Sequence, residues 1–360
     1  MIKKSLSIGY LLLLLTLNAV SQQLHVLPQN KDLKYMGRIS HSPDIAELYW
    51  SGSSVKMNFE GTAVKAVLKD ERANNYLNVI IDNDSIYKIK LDSVKKEYSL
   101  AEHLPNGKHS IELVKITEYD RGKTGFYGFE LNKEGKILDA PAPRKRKMEF
   151  YGNSITCGYA VEDATGDSPA SPFENHYLSY AAITARHFDA DYNCIAKSGI
   201  GITISWFPYT MSTVFDRLNP DDSSSKWDFK NYTPDIVVIN LFQNDSWLVN
   251  MPEHPEFKRL FGSKKPSEDF IIDSYTRFVK TIREKYPHSD IICALGNMDA
   301  TKEGSPWPGY VVKAVKSLND KRIYTHFFPY KNTPGHPKVT EQQAMAQDLI
   351  EFIEQNFHWN

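Results

Sequence analysis

The chain has 360 residues, longer than one hydrophobic core usually organises, so two domains are expected. Its 41% hydrophobic and 24% charged residues are ordinary for a globular protein, and 43 basic against 44 acidic side chains leave a net charge of −1. That balance offers no basic field to gather nucleic acid or an anionic membrane, so neither is expected as a partner.

Lys3 and Lys4 precede an apolar run from Ile8 to Leu17, which ends in Asn18-Ala19-Val20-Ser21. A basic start, a short apolar middle and small residues at alternate positions make residues 1–21 a secretory signal peptide, with the mature chain starting at Gln22. The alternative is an uncleaved anchor, but the run is shorter than the ~20 residues a spanning helix needs. No membrane anchor is therefore expected, and the location is secreted or periplasmic. Export permits disulfides, yet the only cysteines are Cys157, Cys194 and Cys293, each in or beside an apolar segment. Buried free thiols are expected, with a Cys157–Cys194 bridge left open. No metal-ligand spacing accompanies them, and no metal or organic cofactor is expected.

Residues 22–140 form the first domain. From about Leu48 to Leu131 the hydrophobic period is two: Val55, Met57 and Phe59, then Val64, Ala66 and Leu68, then Leu77, Val79 and Ile81. Turn signals separate the runs at Glu60-Gly61, Asp82-Asn83-Asp84 and Pro105-Asn106-Gly107. Short strands with one apolar face, and no room for a helix of normal length, predict an all-β jelly roll or β-sandwich. Pro141-Ala142-Pro143 and the basic run Arg144 to Lys147 make residues 141–147 a solvated linker.

Residues 148–360 alternate strand and helix. Short apolar runs at 148–151, 192–196, 236–241, 291–295 and 323–328 have the character of strands buried on both faces. Helical patterns lie at 178–187, 268–285, 310–318 and 340–356. The last opens on Thr340-Glu341-Gln342-Gln343, read as a capping box, and sets Ala344, Met345, Leu349, Ile350 and Ile353 on one face. The alternation predicts an α/β/α sandwich around a parallel sheet.

Four stretches fall just past strand ends, the edge where such sheets gather their ligands. They are Gly152-Asn153-Ser154, Lys197-Ser198-Gly199, Gln243-Asn244-Asp245, and His336-Pro337 before the final helix. Acyl transfer requires a nucleophile, a base and donors aimed at the developing oxyanion. Ser154 suits the first role and His336 the second; the amides of Ser154 and Gly199 and the side chain of Asn244 suit the third. Asn153 and Asp245 are supporting residues. Each has a plainer structural reading as well: Ser154 a helix cap, Gly199 a turn residue, Asn244-Asp245 another cap, and His336 one of eleven histidines. Trp206, Trp247 and Trp307 lie near this edge, where stacking on a sugar ring competes with simple packing.

In order, these blocks resemble the Ser, Gly, Asn and His blocks of the SGNH hydrolase superfamily. A β-sandwich joined to such a domain through Glu149-Phe150-Tyr151-Gly152-Asn153-Ser154-Ile155-Thr156-Cys157-Gly158-Tyr159 resembles carbohydrate esterase family 2. The resemblance implies deacetylation of acetylated hemicellulose or oligosaccharides, including 6-O-acetyl sugars and acetylated xylan, by a Ser–His acyl-enzyme route. Two rival readings are a short-chain or lipid esterase of the same superfamily and a non-catalytic carbohydrate-binding protein. Two positions depart from the usual pattern. Asn153 stands where the superfamily block has Asp, and Thr333 stands three residues before His336, where many members carry the Asp that orients the imidazole. A main-chain carbonyl, as in a Ser–His dyad, is the expectation for that missing acceptor, with Pro334 and Pro337 stiffening the loop.

Overall fold

The computed structural model describes residues 24–357. The signal peptide expected at 1–21 and the mature start at Gln22 lie outside the described residues. Among those residues, no helix is long and apolar enough to cross a membrane.

Twelve strands precede the parallel sheet: β1 (Leu24–Val26), β2 (Leu33–Met36), β3 (Ile39–Ser42), β4 (Ile45–Leu48), β5 (Ser54–Gly61), β6 (Val64–Asp70), β7 (Tyr76–Ile81), β8 (Ser85–Lys90), β9 (Lys96–Ala101), β10 (Gly107–Lys115), β11 (Thr124–Leu131) and β12 (Lys136–Ile137). They form two antiparallel sheets, ordered β3-β4-β11-β6-β9 with β1 on β11, and β12-β5-β10-β7-β8 with β2 on β5. Residues of period two from both sheets meet in one core: Val55, Met57 and Phe59 from one, Ala66, Leu68 and Phe129 from the other. The alternation sensed from Leu48 onward misses β1 to β4, which are only three or four residues long, too short for a period to show.

The second sheet system comprises β13 (Arg146–Gly152), β14 (Ala190–Ala196), β15 (Ile236–Asn240), β16 (Asp290–Leu295) and β17 (Ile323–Phe327), all parallel, in the order β14-β13-β15-β16-β17. Among the described residues seven α-helices lie between these strands and an eighth follows them: α1 (Ser154–Cys157), α2 (Tyr180–His187), α3 (Met211–Val214), α4 (Gln243–Leu248), α5 (Pro255–Phe261), α6 (Glu268–Lys285), α7 (Trp307–Leu318) and α8 (Val339–Asn356). Successive strand residues point to opposite faces, and the cores divide accordingly. Tyr151, Ile239, Ile291 and Cys293 pack with α6 and α7. Phe150, Val238, Ile292 and Ala294 pack with α2 and α8. The result is a three-layer α/β/α sandwich.

The last helix differs from its expected start. It begins at Val339, and Glu341 Oε2 accepts the backbone N–H of Lys338 at 2.8 Å, so Thr340 is not the cap. Its buried stripe runs through Gln342, Met345, Ala346, Leu349, Ile350 and Ile353, with Ala344 facing out. All three cysteines are buried and free, as the thiol reading expects.

Arg38 joins the two halves. It follows β2 and is only 1% exposed, with its guanidinium reaching Glu149 of β13 at 3.2 Å and the carbonyls of Phe215 and Arg217 at 2.6 and 3.1 Å. Glu149 also accepts from Asn193 at 2.9 Å, from Tyr286 at 2.9 Å and from the Tyr151 hydroxyl. A charge so deep is tolerated only when paired and hydrogen-bonded; the pair is completed by the carbonyls and hydroxyls around it, though Arg38 Nε has no partner among the described residues.

Candidate active site

The strand order places the site. In a sheet whose chain order reads second-first-third-fourth-fifth, connections diverge between the first and third strands, opening a crevice at their C-terminal ends. Gly152 closes β13 and is in register with Ala196 of β14 and Asn240 of β15. Ser154, Gly199 and Asn244, two, three and four residues past those positions, therefore share one edge.

Ser154 is the first residue of α1. Asn153 caps that turn, its Oδ1 accepting the N–H of Ile155 at 3.0 Å. Asn at 153 thus does locally what a capping Asp would do. Gly152 is required by close approach: a Cβ there would lie 2.0 Å from Thr156 Oγ1, so any side chain would push the serine turn off the strand. Ser154 is 6% exposed, and its Oγ lies 2.9 Å from His336 Nε2.

The other imidazole nitrogen has a partner that local spacing does not reveal. His336 Nδ1 lies 2.8 Å from Asp167 Oδ2, and the backbone N–H of His336 donates to Asp167 Oδ1 at 2.9 Å. The expected main-chain acceptor is therefore replaced by a carboxylate from the loop after α1. Thr333 turns away and bonds Lys331 at 2.7 Å. Asp163 folds the Asp167 loop, its carboxylate accepting from Gly166 N at 2.9 Å and Ser168 N at 2.8 Å. Lys338 Nζ binds Ala160 O at 2.9 Å, tying that loop to the one carrying His336. Partial burial pushes the Asp167 carboxyl up, but the two His336 hydrogen bonds and the nearby Lys338 ammonium outweigh this and hold it well below the usual carboxylate range. The ring of Tyr159 covers the imidazole at 4.4 Å. Only a loop signature, Asp163-Ala164-Thr165-Gly166-Asp167-Ser168-Pro169, marks Asp167 in the sequence, 169 residues from His336.

Gly199 is the third residue of a Lys197–Ile200 turn closed by Ile200 N to Lys197 O at 3.2 Å, and its φ of +82° is one only glycine adopts freely. Asn244 lies in the first turn of α4, after Phe242, whose φ of +84° is a strained value for a bulky residue. Its amide is oriented by two bonds: Nδ2 donates to Ile200 O at 2.8 Å, and Oδ1 accepts from Trp206 Nε1 at 3.0 Å. Nδ2 keeps a second hydrogen for another acceptor. Asp245 is buried beneath, accepting the amides of Ile202, Thr203 and Ile204 at 3.1, 2.6 and 3.1 Å. Burial raises its carboxyl to about 6, against the pull of those amides. Of the three tryptophans, Trp206 is 43% exposed beside Asn244, Trp247 bonds Asp299 at 3.0 Å, and Trp307 is core, packed on Phe242. Among the described residues, no group of three or more His, Cys, Asp or Glu is placed to hold a metal ion.

A parallel sheet with serine at its switch point, and Gly, Asn and His following in chain order at the same edge, is the arrangement of the SGNH hydrolases. The family model described as the N-terminal part of carbohydrate esterase 2 matches residues 35–141. The cellulase/esterase CelE of Acetivibrio thermocellus is 32% identical over 343 residues, covering 92% of this chain and 40% of its own length, so this chain spans well under half of that relative. An acetylxylan esterase / glucomannan deacetylase of Cellvibrio japonicus is 26% identical, over 91% of this chain and 89% of that protein. A solved family two carbohydrate esterase from Clostridium thermocellum, in complex with cellohexaose, superposes with a TM-score of 0.80 at 32% identity, over 90% of this chain and 98% of that one. The chain belongs to carbohydrate esterase family 2.

Proposed function

We propose that this protein removes acetyl groups from the hydroxyls of hemicellulosic polysaccharides or oligosaccharides, with Ser154 as nucleophile. The observation that carries the reading is the continuous relay from Ser154 Oγ through His336 to Asp167, at 2.9 and 2.8 Å. The Nδ1–H bond to Asp167 leaves Nε2 unprotonated, the form that accepts the serine proton. Ser154 attacks the acetyl carbonyl as His336 takes that proton, and the amides of Ser154 and Gly199 with Asn244 Nδ2 receive the oxyanion. His336 returns the proton to the departing sugar oxygen, and water repeats the sequence to release acetate. Asn153 and Asp245 shape the turns that hold these donors.

The relatives' names support xylan or glucomannan as the acetylated polymer, and the cellohexaose complex supports a cleft that accepts β-linked glucan chains. Trp206, exposed beside Asn244, is suited to stack on a sugar ring. The non-catalytic reading rests on Asn153 and on the missing carboxylate at Thr333; the Asn153 cap on Ile155 N–H and the Asp167 bond to His336 both favour the catalytic one. Export rests on the pattern of residues 1–21. Acetate release is to be measured from acetylated xylan, acetylated glucomannan and mono-acetyl sugars, with Ser154→Ala as control. Release from at least one substrate that Ser154→Ala abolishes is expected. A preference for octanoyl over acetyl nitrophenyl esters would favour a lipid esterase instead.

A further inference from the structure

Strand β10 ends at Lys115 and delivers the next few residues of the sandwich to the active edge of the parallel sheet. Glu118 there is fully buried, and both of its carboxylate oxygens are taken by one residue: Oε2 accepts the backbone N–H of Ser198 at 2.7 Å, and Oε1 accepts the Ser198 hydroxyl. Ser198 is the second residue of the Lys197–Ile200 turn, immediately before Gly199. The positive φ at Gly199 is the type II signature. The alternative type I turn differs by coupled rotations of about 150° in ψ of the second residue and about 170° in φ of the third, which swing the Ser198–Gly199 peptide over and turn the Gly199 N–H away. The two Glu118 bonds hold the N–H and the hydroxyl of Ser198, and so fix in place the residue from which that peptide is hung.

The grip is itself braced. Glu174 Oε2 accepts the N–H of Glu118 at 3.3 Å, Arg121 Nε holds Glu174 at 2.9 Å, and buried Lys115 Nζ donates to the carbonyls of Thr117 and Glu118 at 2.7 and 2.8 Å. From the hydrolase side, Lys197 Nζ reaches Asp120 at 3.1 Å. The cations of this cluster thus serve its carbonyls and its other carboxylates, while the Glu118 oxygens are spent on Ser198. Burial, with Glu174 and Asp120 alongside, pushes the Glu118 carboxyl up to about 8; a buried acid held by a serine rather than by a cation costs stability, and such costs concentrate at functional sites.

We propose that Glu118 is a positioning residue of the esterase site, supplied by the β-sandwich to hold Ser198 in place, so that the Gly199 amide carried next to it is aimed at the oxyanion. The sandwich is then a working part of the active site, and its attachment to the hydrolase half has a chemical reason. The inference rests on the oxyanion role given above to Gly199 and Asn244.

The test is made in the full chain, with kcat and KM for an acetyl ester and a melting temperature for each variant. Glu118→Ala removes both acceptors of Ser198; a glutamine would not, since its oxygen can take the Ser198 N–H while the hydroxyl turns to accept from its NH2. Ser198→Ala, at a half-buried position, removes only the hydroxyl bond and serves if Glu118→Ala does not fold. Loss of an interaction that matters in the transition state lowers kcat while KM holds. We expect kcat to fall about tenfold or more for Glu118→Ala, and less for Ser198→Ala, with KM within about twofold in each. Asn244→Ala is measured alongside. If it loses activity while both other variants keep kcat within about twofold of wild type, the positioning role is overturned and the oxyanion reading stands. If Asn244→Ala is itself unaffected, the oxyanion reading falls first. A loss in Glu118→Ala carried by KM alone, or matched by a lost folded fraction, also overturns the proposal.

Discussion

Replacing Asp167 with asparagine tests the relay most sharply, because the structure dictates what the amide must do. Asp167 accepts two N–H groups from His336, one from the backbone at Oδ1 (2.9 Å) and one from the ring at Oδ2 (2.8 Å). Asparagine has one acceptor oxygen and one NH2 group. The backbone N–H of His336 cannot change character, so the amide oxygen must face it and the NH2 must face Nδ1. Nδ1 then becomes an acceptor, the ring proton moves to Nε2, and Nε2 can no longer take the serine proton. In serine proteases the same change costs about ten-thousandfold in kcat. Asp167 is more open here, with its side chain 36% exposed, and water can reach the imidazole as a substitute acceptor. A loss of about 10³- to 10⁴-fold in kcat is expected, which is about 4–5.5 kcal/mol of barrier. The assay is acetate release at saturating substrate, with KM and melting temperature recorded. Asp167→Asn should be no better than Asp167→Ala despite its closer shape. A kcat within tenfold of wild type would refute the tautomer argument and return the orienting role to a main-chain carbonyl.

Other outcomes follow from the same geometry. Asn244→Ala should lower kcat by about 10²- to 10³-fold, the usual effect of one lost oxyanion donor, and unaltered turnover would remove Asn244 from the mechanism. Arg38→Ala leaves Glu149 buried without its cation, so urea unfolding should show a loss of about 3–5 kcal/mol; a loss under 1 kcal/mol would mean the pair is not what joins the halves. Asp245 contributes a pH dependence whose sign follows from its raised carboxyl. Between the ordinary value of 3.8 and about 6 the folded state holds more protons than the unfolded state, so this contribution to stability is complete below 3.8 and is lost as pH rises through 6. Relative to Asp245→Asn, the wild type should therefore lose about 2 kcal/mol between pH 4 and pH 7, and a difference independent of pH would contradict a raised Asp245.

Much of this molecule is legible from local pattern. The hydrophobic runs at 148–151, 192–196, 236–241, 291–295 and 323–328 coincide with the five parallel strands to within two residues at each end, because strands buried on both faces must be apolar throughout. The alternation of Val55, Met57 and Phe59 betrays a sheet with one dry face. Strands β1 to β4 escape because three or four residues cannot establish a period. The helix start at Val339 escapes because Glu341 caps backbone at Lys338, and the sequence around Thr340 offers a competing motif of the same kind. Trp307 is core rather than rim, since a tryptophan in a loop pattern carries no sign of the face it turns.

Sequence alone determined the kinds of chemistry present. Ser154, Gly199 and Asn244 sit two to four residues past β13, β14 and β15, and His336 nine past β17, and the parallel sheet carries such positions to one edge whatever lies between them. Tertiary structure alone decided what holds them ready. Asp167 reaches His336 from a loop 169 residues away, and Glu118 reaches Ser198 from the other domain across 80 residues. Hydrogen bonds act over about 3 Å in space and leave no period or spacing along the chain. The groups that orient a reacting residue therefore become visible only when the loops that carry them have folded together.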